Sequence, residues 1–97
     1  MNPFNKTIEV LREDGWARHT TNAPDGSRCV GGALERAYHL LQTTLRQRCD
    51  SYELLCEVSR EQWGTGPIAV NAYYAQDVAD VIALLEKASV RHNERFG

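Results

Sequence analysis

Cys29-Val30-Gly31-Gly32-Ala33-Leu34-Glu35-Arg36-Ala37-Tyr38-His39-Leu40-Leu41 is the stretch on which the fold turns. At about 100° per residue, Val30, Leu34, Ala37, Tyr38, Leu41 and Leu45 fall within one arc. This spacing predicts an amphipathic helix from Gly31-Gly32 to about Arg46. His39 falls on the opposite, polar side and reads as a solvated histidine. The two glycines permit a tight turn into the helix and close packing against it.

Upstream, Asn2-Pro3 reads as an N-cap followed by proline at the first helical position. Phe4, Ile8 and Leu11 then make one apolar stripe, and Gly15 stands where a helix-terminating glycine belongs, so the first helix runs from Pro3 to about Asp14. Between the two helices, Pro24-Asp25-Gly26 is a strong turn signal. Trp16–Thr20 and Arg28–Val30 flank it and are predicted to pair as a short β-hairpin packed on the helices.

Downstream, Asp50 and Glu53 have the spacing of a capping box, which places a third helix over Ser51 to about Trp63. Tyr52, Leu55, Cys56 and Trp63 are assigned to its inner face, and Glu53, Glu57, Arg60 and Glu61 to its outer face. Gly64-Thr65-Gly66-Pro67 breaks the pattern, and Ile68–Val70 reads either as a short strand or as an extended run into the last helix. That fourth helix covers about Gln76 to Val90 or a little beyond, on a stripe of Val78, Val81, Ile82 and Leu85, with residues 92–97 as a frayed tail. The expected architecture is therefore a single, mainly α domain over residues 1–97: four compact helices with a small β-hairpin between the first two.

Composition narrows the function classes. With 97 residues, 42% hydrophobic and 25% charged, the chain has the make-up of one globular domain. Eleven Lys and Arg against thirteen Asp and Glu give a net charge of −2, so no global basic bias toward nucleic acid exists. The densest basic stretch is Arg46-Gln47-Arg48. The N-terminus has no apolar run of signal-peptide length, and no segment approaches the ~20 apolar residues of a membrane span. A cytoplasmic protein is expected.

Cys29, Cys49 and Cys56 make an odd count, which speaks against a disulfide framework. On one helix, Cys49 and Cys56 would stand about 10 Å apart, beyond the ~7 Å that a disulfide bridges. No zinc-type spacing occurs, and no metal or cofactor is expected. Asp77, Asp80 and Glu86 read as structural carboxylates, Asp77 at a helix start where the dipole favours it.

Three candidate chemistries remain. The Gly31-Gly32 helix start is a candidate anion site, with Arg18, His19 and Arg28 converging from the hairpin. Cys29 with His19 as base and Asp25 as orienting group is a candidate thiol enzyme. Arg36, Arg46 and Arg48 are a candidate nucleic-acid contact. The last helix also carries an unusually wide apolar arc: Ala72, Ala75, Ala79 and Ala83 extend it on one side and Leu84 on the other. Either this helix is central in the monomer, or that side pairs with a second copy as a homodimer.

Gly15-Trp16, Asp25-Gly26, Cys29-Val30-Gly31-Gly32-Ala33-Leu34, Asn71, Asp77-Val78 and Leu84-Leu85-Glu86-Lys87-Ala88 together resemble a small family of proteins of actinobacteria and their phages that carries a domain of unknown function. The chain departs from that pattern at Val70-Asn71-Ala72, where the family has Trp-Asn-Asp. It departs again at Tyr73-Tyr74-Ala75, where the family has a Gly-Arg-Thr loop. The resemblance implies a bacterial or phage-infected cytosol and transfers no activity. The expected function is a non-catalytic interaction module acting through protein–protein contact, ahead of a nucleic-acid-associated regulator and a Cys29-dependent enzyme.

Overall fold

Asn2 caps the first helix in the computed structural model, which describes residues 2–97: its side-chain oxygen accepts from the Phe4 and Asn5 N–H groups. Helix α1 (Pro3–Asp14) ends at Gly15, whose φ of 91° is open to glycine. Phe4, Thr7, Ile8, Val10 and Leu11 are its buried face. Asn2 also donates to the Ser89 carbonyl (3.2 Å) and hydroxyl (2.8 Å), tying the start of α1 to the last helix.

The segment between α1 and α2 (Val30–Leu41) is not a hairpin. Arg28 forms two isolated bridges, parallel to Trp16 and antiparallel to Asn22. Its N–H donates to the Gly15 carbonyl (3.0 Å), and its carbonyl accepts from Ala17 (2.9 Å). The expected partners thus run in the same direction, and no ladder forms; the carbonyls of Ala17 and Arg18 are met by a side chain instead. The turn signal itself holds. Gly26 N–H donates to the Ala23 carbonyl (2.9 Å), Gly26 has φ 93°, and the Asp25 carboxylate accepts from the Ser27 N–H (3.0 Å).

Helix α2 stops at Leu41, five residues before the expected end. Gln42 takes a left-handed conformation (φ 53°), and Thr44 opens helix α3 (Leu45–Trp63). Thr44 Oγ1 accepts from the Gln47 N–H (3.1 Å), while the Gln47 side chain accepts from the Thr44 N–H (2.8 Å). This reciprocal cap, and not the Asp50–Glu53 pair, starts α3. Leu45, which suggested continuation of α2, is 77% exposed.

The inner face of α3 is Ser51, Leu54, Leu55, Val58 and Ser59; Tyr52 points outward. The two serines are buried because their hydroxyls are paired, Ser51 with Tyr38 (2.5 Å) and Ser59 with the Thr65 carbonyl (2.7 Å). A short helix α4 (Pro67–Ala69) widens into a π turn at Val70–Tyr74, where a strand or extended run had been expected. Helix α5 (Val78–Phe96) follows, capped by the Asp77 carboxylate on the Ala79 N–H.

The described residues therefore form five helices and a π turn, not four helices and a hairpin. One cluster of buried side chains unites them, among them Phe4, Leu34, Leu54, Leu55, Val70, Leu84 and Leu85. α1 packs on α2 and α5, and α3 packs on α5. Leu84 and Ala75 lie in this core, so the apolar excess of the last helix is largely spent inside the monomer. Cys29, Cys49 and Cys56 are unbridged.

Residues 92–96 continue α5 rather than fray. Arg91 holds Glu61 through two 2.7 Å bonds, and Arg95 holds Glu57 (3.0 Å). Between them the His92 ring meets Phe4 edge-on and Phe96 at 5.0 Å, and its Nδ1 is buried with no partner among the described residues. Burial holds the His92 pKa below its ordinary value. The unfolded chain takes up this proton near pH ~6.5, and the folded chain only at lower pH. Stability is therefore fully present above about pH 6.5 and declines as the pH falls below it. Urea midpoints measured from pH 7.5 to 5 will show this decline, and His92→Phe will flatten it; an unchanged slope in the variant would remove His92 as its source.

Candidate binding cleft

A lone asparagine sits in the apolar run Ile68–Tyr74, and its side chain organises the surface around it. Asn71 is 2% exposed. Its Oδ1 accepts from the Trp16 indole N–H (2.6 Å) and from the Val30 backbone N–H (3.0 Å). Its Nδ2 donates to the carbonyls of Ala17 (3.1 Å) and Arg18 (2.9 Å). Both N–H groups and both oxygen lone pairs are thus used. The amide joins three segments distant in sequence: the loop after α1, the start of α2 and the π turn. The wide turn carries a polar residue inward here, which a regular apolar pattern does not signal.

Around this amide lies an open cleft of about 500 Å³, lined by Arg18, His19, Thr21, Cys29, Ile68 and Tyr73, among others. The His19 ring leans on Tyr73 with centroids 6.1 Å apart. On the outer side of the same wall, Ile68, Tyr73 and Tyr74 are 49%, 75% and 56% exposed. A second groove, about 530 Å³, continues past Cys29 and Ile68 along Gly31, Leu34 and Tyr38 to Tyr52.

The candidate anion residues are mostly engaged internally. Arg18 donates to the carbonyls of Ala75 (2.8 Å) and Gln76 (3.1 Å) and lies over the Trp16 ring at 4.9 Å. Arg28 donates to Asp14 (2.9 Å) and Asn22 (2.7 Å). At the helix start, the Val30 N–H goes to Asn71 and the Gly32 N–H to Cys29 Sγ (3.4 Å). The glycines serve close packing. A Cβ on Gly32 would overlap the Thr21 carbonyl oxygen, and one on Gly31 would stand 3.0 Å from Ile68 Cδ1.

Cys29 and His19 do line one cleft, but Asp25 is committed to the Ser27 N–H and hydroxyl. These bonds hold the Asp25 pKa below its ordinary value. The orienting group of the candidate triad is therefore absent from the cleft. Arg36, Arg46 and Arg48 are all exposed; Arg48 also donates to Thr43 (3.0 Å) and covers the Tyr38 ring at 5.7 Å. Of the five residues assigned to self-association, Ala75 and Leu84 are buried, Ala72 lines the cleft, and Ala79 and Ala83 are exposed. No group of three or more metal-ligating side chains occurs among the described residues. None of their helices is long and apolar enough to cross a membrane.

Each buried polar group left unpaired costs about 1–3 kcal/mol. Asn71→Ala unpairs four groups, two of them fully buried and two part-buried, so a loss of at least about 2 kcal/mol is expected. Trp16→Phe removes one bond and is expected to cost about 1–2 kcal/mol. Urea denaturation followed by circular dichroism measures both, and a loss under about 1 kcal/mol for Asn71→Ala would refute the role of the amide.

A comparison with curated proteins and another with solved structures each found no match. A family model described as "Family of unknown function (DUF6197)" matches residues 4–91, nearly the whole of the described chain. The protein therefore belongs to this family of unknown function, DUF6197.

Proposed function

We propose that the protein is a non-catalytic interaction module that grips another protein through the wall of the cleft, as an accessory factor in an actinobacterial or phage-infected cell. The observation that carries this reading is the exposure of Ile68, Tyr73 and Tyr74 on a short helical stretch pinned from beneath by the buried Asn71. Large apolar and aromatic side chains in water are the usual anchors of protein contacts. Backbone already fixed by four hydrogen bonds loses little further freedom on binding, which favours affinity. The partner this surface suits is a folded protein or segment that brings apolar side chains against the Tyr73 wall. The absence of an orienting carboxylate beside His19 supports binding over thiol chemistry.

The test is a paired capture from host lysate with wild type and the double variant Ile68→Ser/Tyr73→Ser. Both positions are exposed, so the melting temperature is expected to stay within a few degrees. A protein retained by wild type, lost by this variant and kept by an exposed α1 control such as Glu9→Gln is the expected result. An identical set of retained proteins for all three would overturn the reading.

A further inference from the structure

Helix α3 carries a second stripe, opposite in character to its buried one. Leu45, Cys49, Tyr52 and Cys56 recur at spacings of four, three and four, the seam spacing of paired helices. Leu45, Cys49 and Tyr52 are exposed, and Cys56 is half-buried. Among the described residues, the Leu45, Cys49 and Tyr52 positions of this seam are left open to solvent. Tyr52 stands as a ridge between two open grooves of about 670 and 530 Å³, so ridge and groove lie side by side on one face. Such a face is complementary to itself under a two-fold axis.

Charge sets the direction of pairing. On the wheel, Arg46 and Glu53 lie on the same flank of the seam, toward its beginning and its end respectively. Arg46 has a side chain 91% exposed and only a 3.9 Å contact to Asp50; Glu53 makes no ion pair among the described residues. A parallel pairing would put this flank of one copy and the same flank of the other on opposite sides of the interface, so Arg46 would not meet the partner's Glu53. An antiparallel pairing about the midpoint between Cys49 and Tyr52 brings Arg46 within one helical turn of the partner's Glu53, twice over by symmetry. It also sets Leu45 against the partner's Cys56, and Cys49 against the partner's Tyr52.

We propose that this protein forms a two-fold homodimer by antiparallel pairing of α3 on the Leu45–Cys49–Tyr52–Cys56 seam, with Arg46 and Glu53 fixing the register. The seam lies on α3, while Ile68 and Tyr73 belong to the α4–π segment; Ile68 borders the 530 Å³ groove beside Tyr52.

Sedimentation at concentrations up to several hundred micromolar tests it. Wild type is expected to approach twice its 11.0 kDa mass. Leu45→Glu is expected to weaken dimerisation at least about tenfold without unfolding, since an acidic residue suits the first turn of a helix. Arg46→Glu and Glu53→Arg are each expected to weaken it by about fivefold, and the two together to restore it. A chain that stays at 11.0 kDa, a dimer indifferent to Leu45→Glu, or a charge swap that fails to restore pairing would each overturn the proposal.

A short bismaleimide reads the direction independently. In the antiparallel register, the two Cys49 residues are offset by about 4.5 Å along the axis, and the two Cys56 residues by about 16 Å. Cross-linking is expected to survive Cys29→Ser and to vanish with Cys49→Ser. Survival through Cys56 in the Cys49→Ser variant would indicate parallel pairing and overturn the register.

Discussion

The four hydrogen bonds of the Asn71 side chain hold together the parts of the molecule that helix packing alone leaves free. α1, α2, α3 and α5 share one apolar core, but the loop from Gly15 to Cys29 buries few apolar side chains and has no ladder of its own. Its backbone carbonyls at Ala17 and Arg18 need donors once water is excluded, and the Trp16 indole needs an acceptor. One amide meets all of these and the first N–H of α2. Asn71 sits within the π turn, whose buried members are Val70 and Asn71. Arg18 completes the closure by reaching the carbonyls of Ala75 and Gln76 from the loop.

The segment Pro67–Tyr74 is divided between interior and surface. Its buried members, Val70 and Asn71, belong to the core and to the amide network, while Ile68, Tyr73 and Tyr74 stand in solvent. Flexible apolar side chains on a mobile loop would lose entropy on binding; here the backbone is already ordered. The same logic holds for α3, where Ser51, Leu54, Leu55 and Val58 fill the interior and leave Leu45, Cys49 and Tyr52 outside. In both places apolar or aromatic side chains stand in solvent on helical backbone, a π turn in the first and a regular α-helix in the second.

Particular residues show where the sequence was legible. The α1 cap at Asn2, its stop at Gly15 and the turn at Gly26 each depend on one or two adjacent residues, and each was readable. The α2–α3 junction was not, because Leu45 continues the apolar arc of α2 while Thr44 and Gln47 cap the next helix; the cap prevails once Gln42 turns left-handed. The inner face of α3 was misassigned because two of its positions are serines, whose burial depends on hydroxyl partners on other elements. Two residues of the candidate anion site are engaged internally for a similar reason: Arg18 and Arg28 are drawn to carbonyls and carboxylates that only the folded loop presents.

The sequence by itself determined a mainly helical chain, the apolar stripes of α1, α2 and α5, the glycine-opened α2 and the turn at Pro24-Asp25-Gly26. These are set by local sterics and by the period of the helix, which act between neighbours along the chain. Only the tertiary structure decided that the loop is closed by Asn71 instead of by strand pairing, that Ala75 and Leu84 face inward, and which aromatic side chains remain in water. Those outcomes depend on hydrogen bonds spanning 41 to 58 residues, from Val30 to Asn71 and from Arg18 to Gln76. Such partners carry no periodic mark, because an amide finds its donors and acceptors by position in space and not by spacing along the chain.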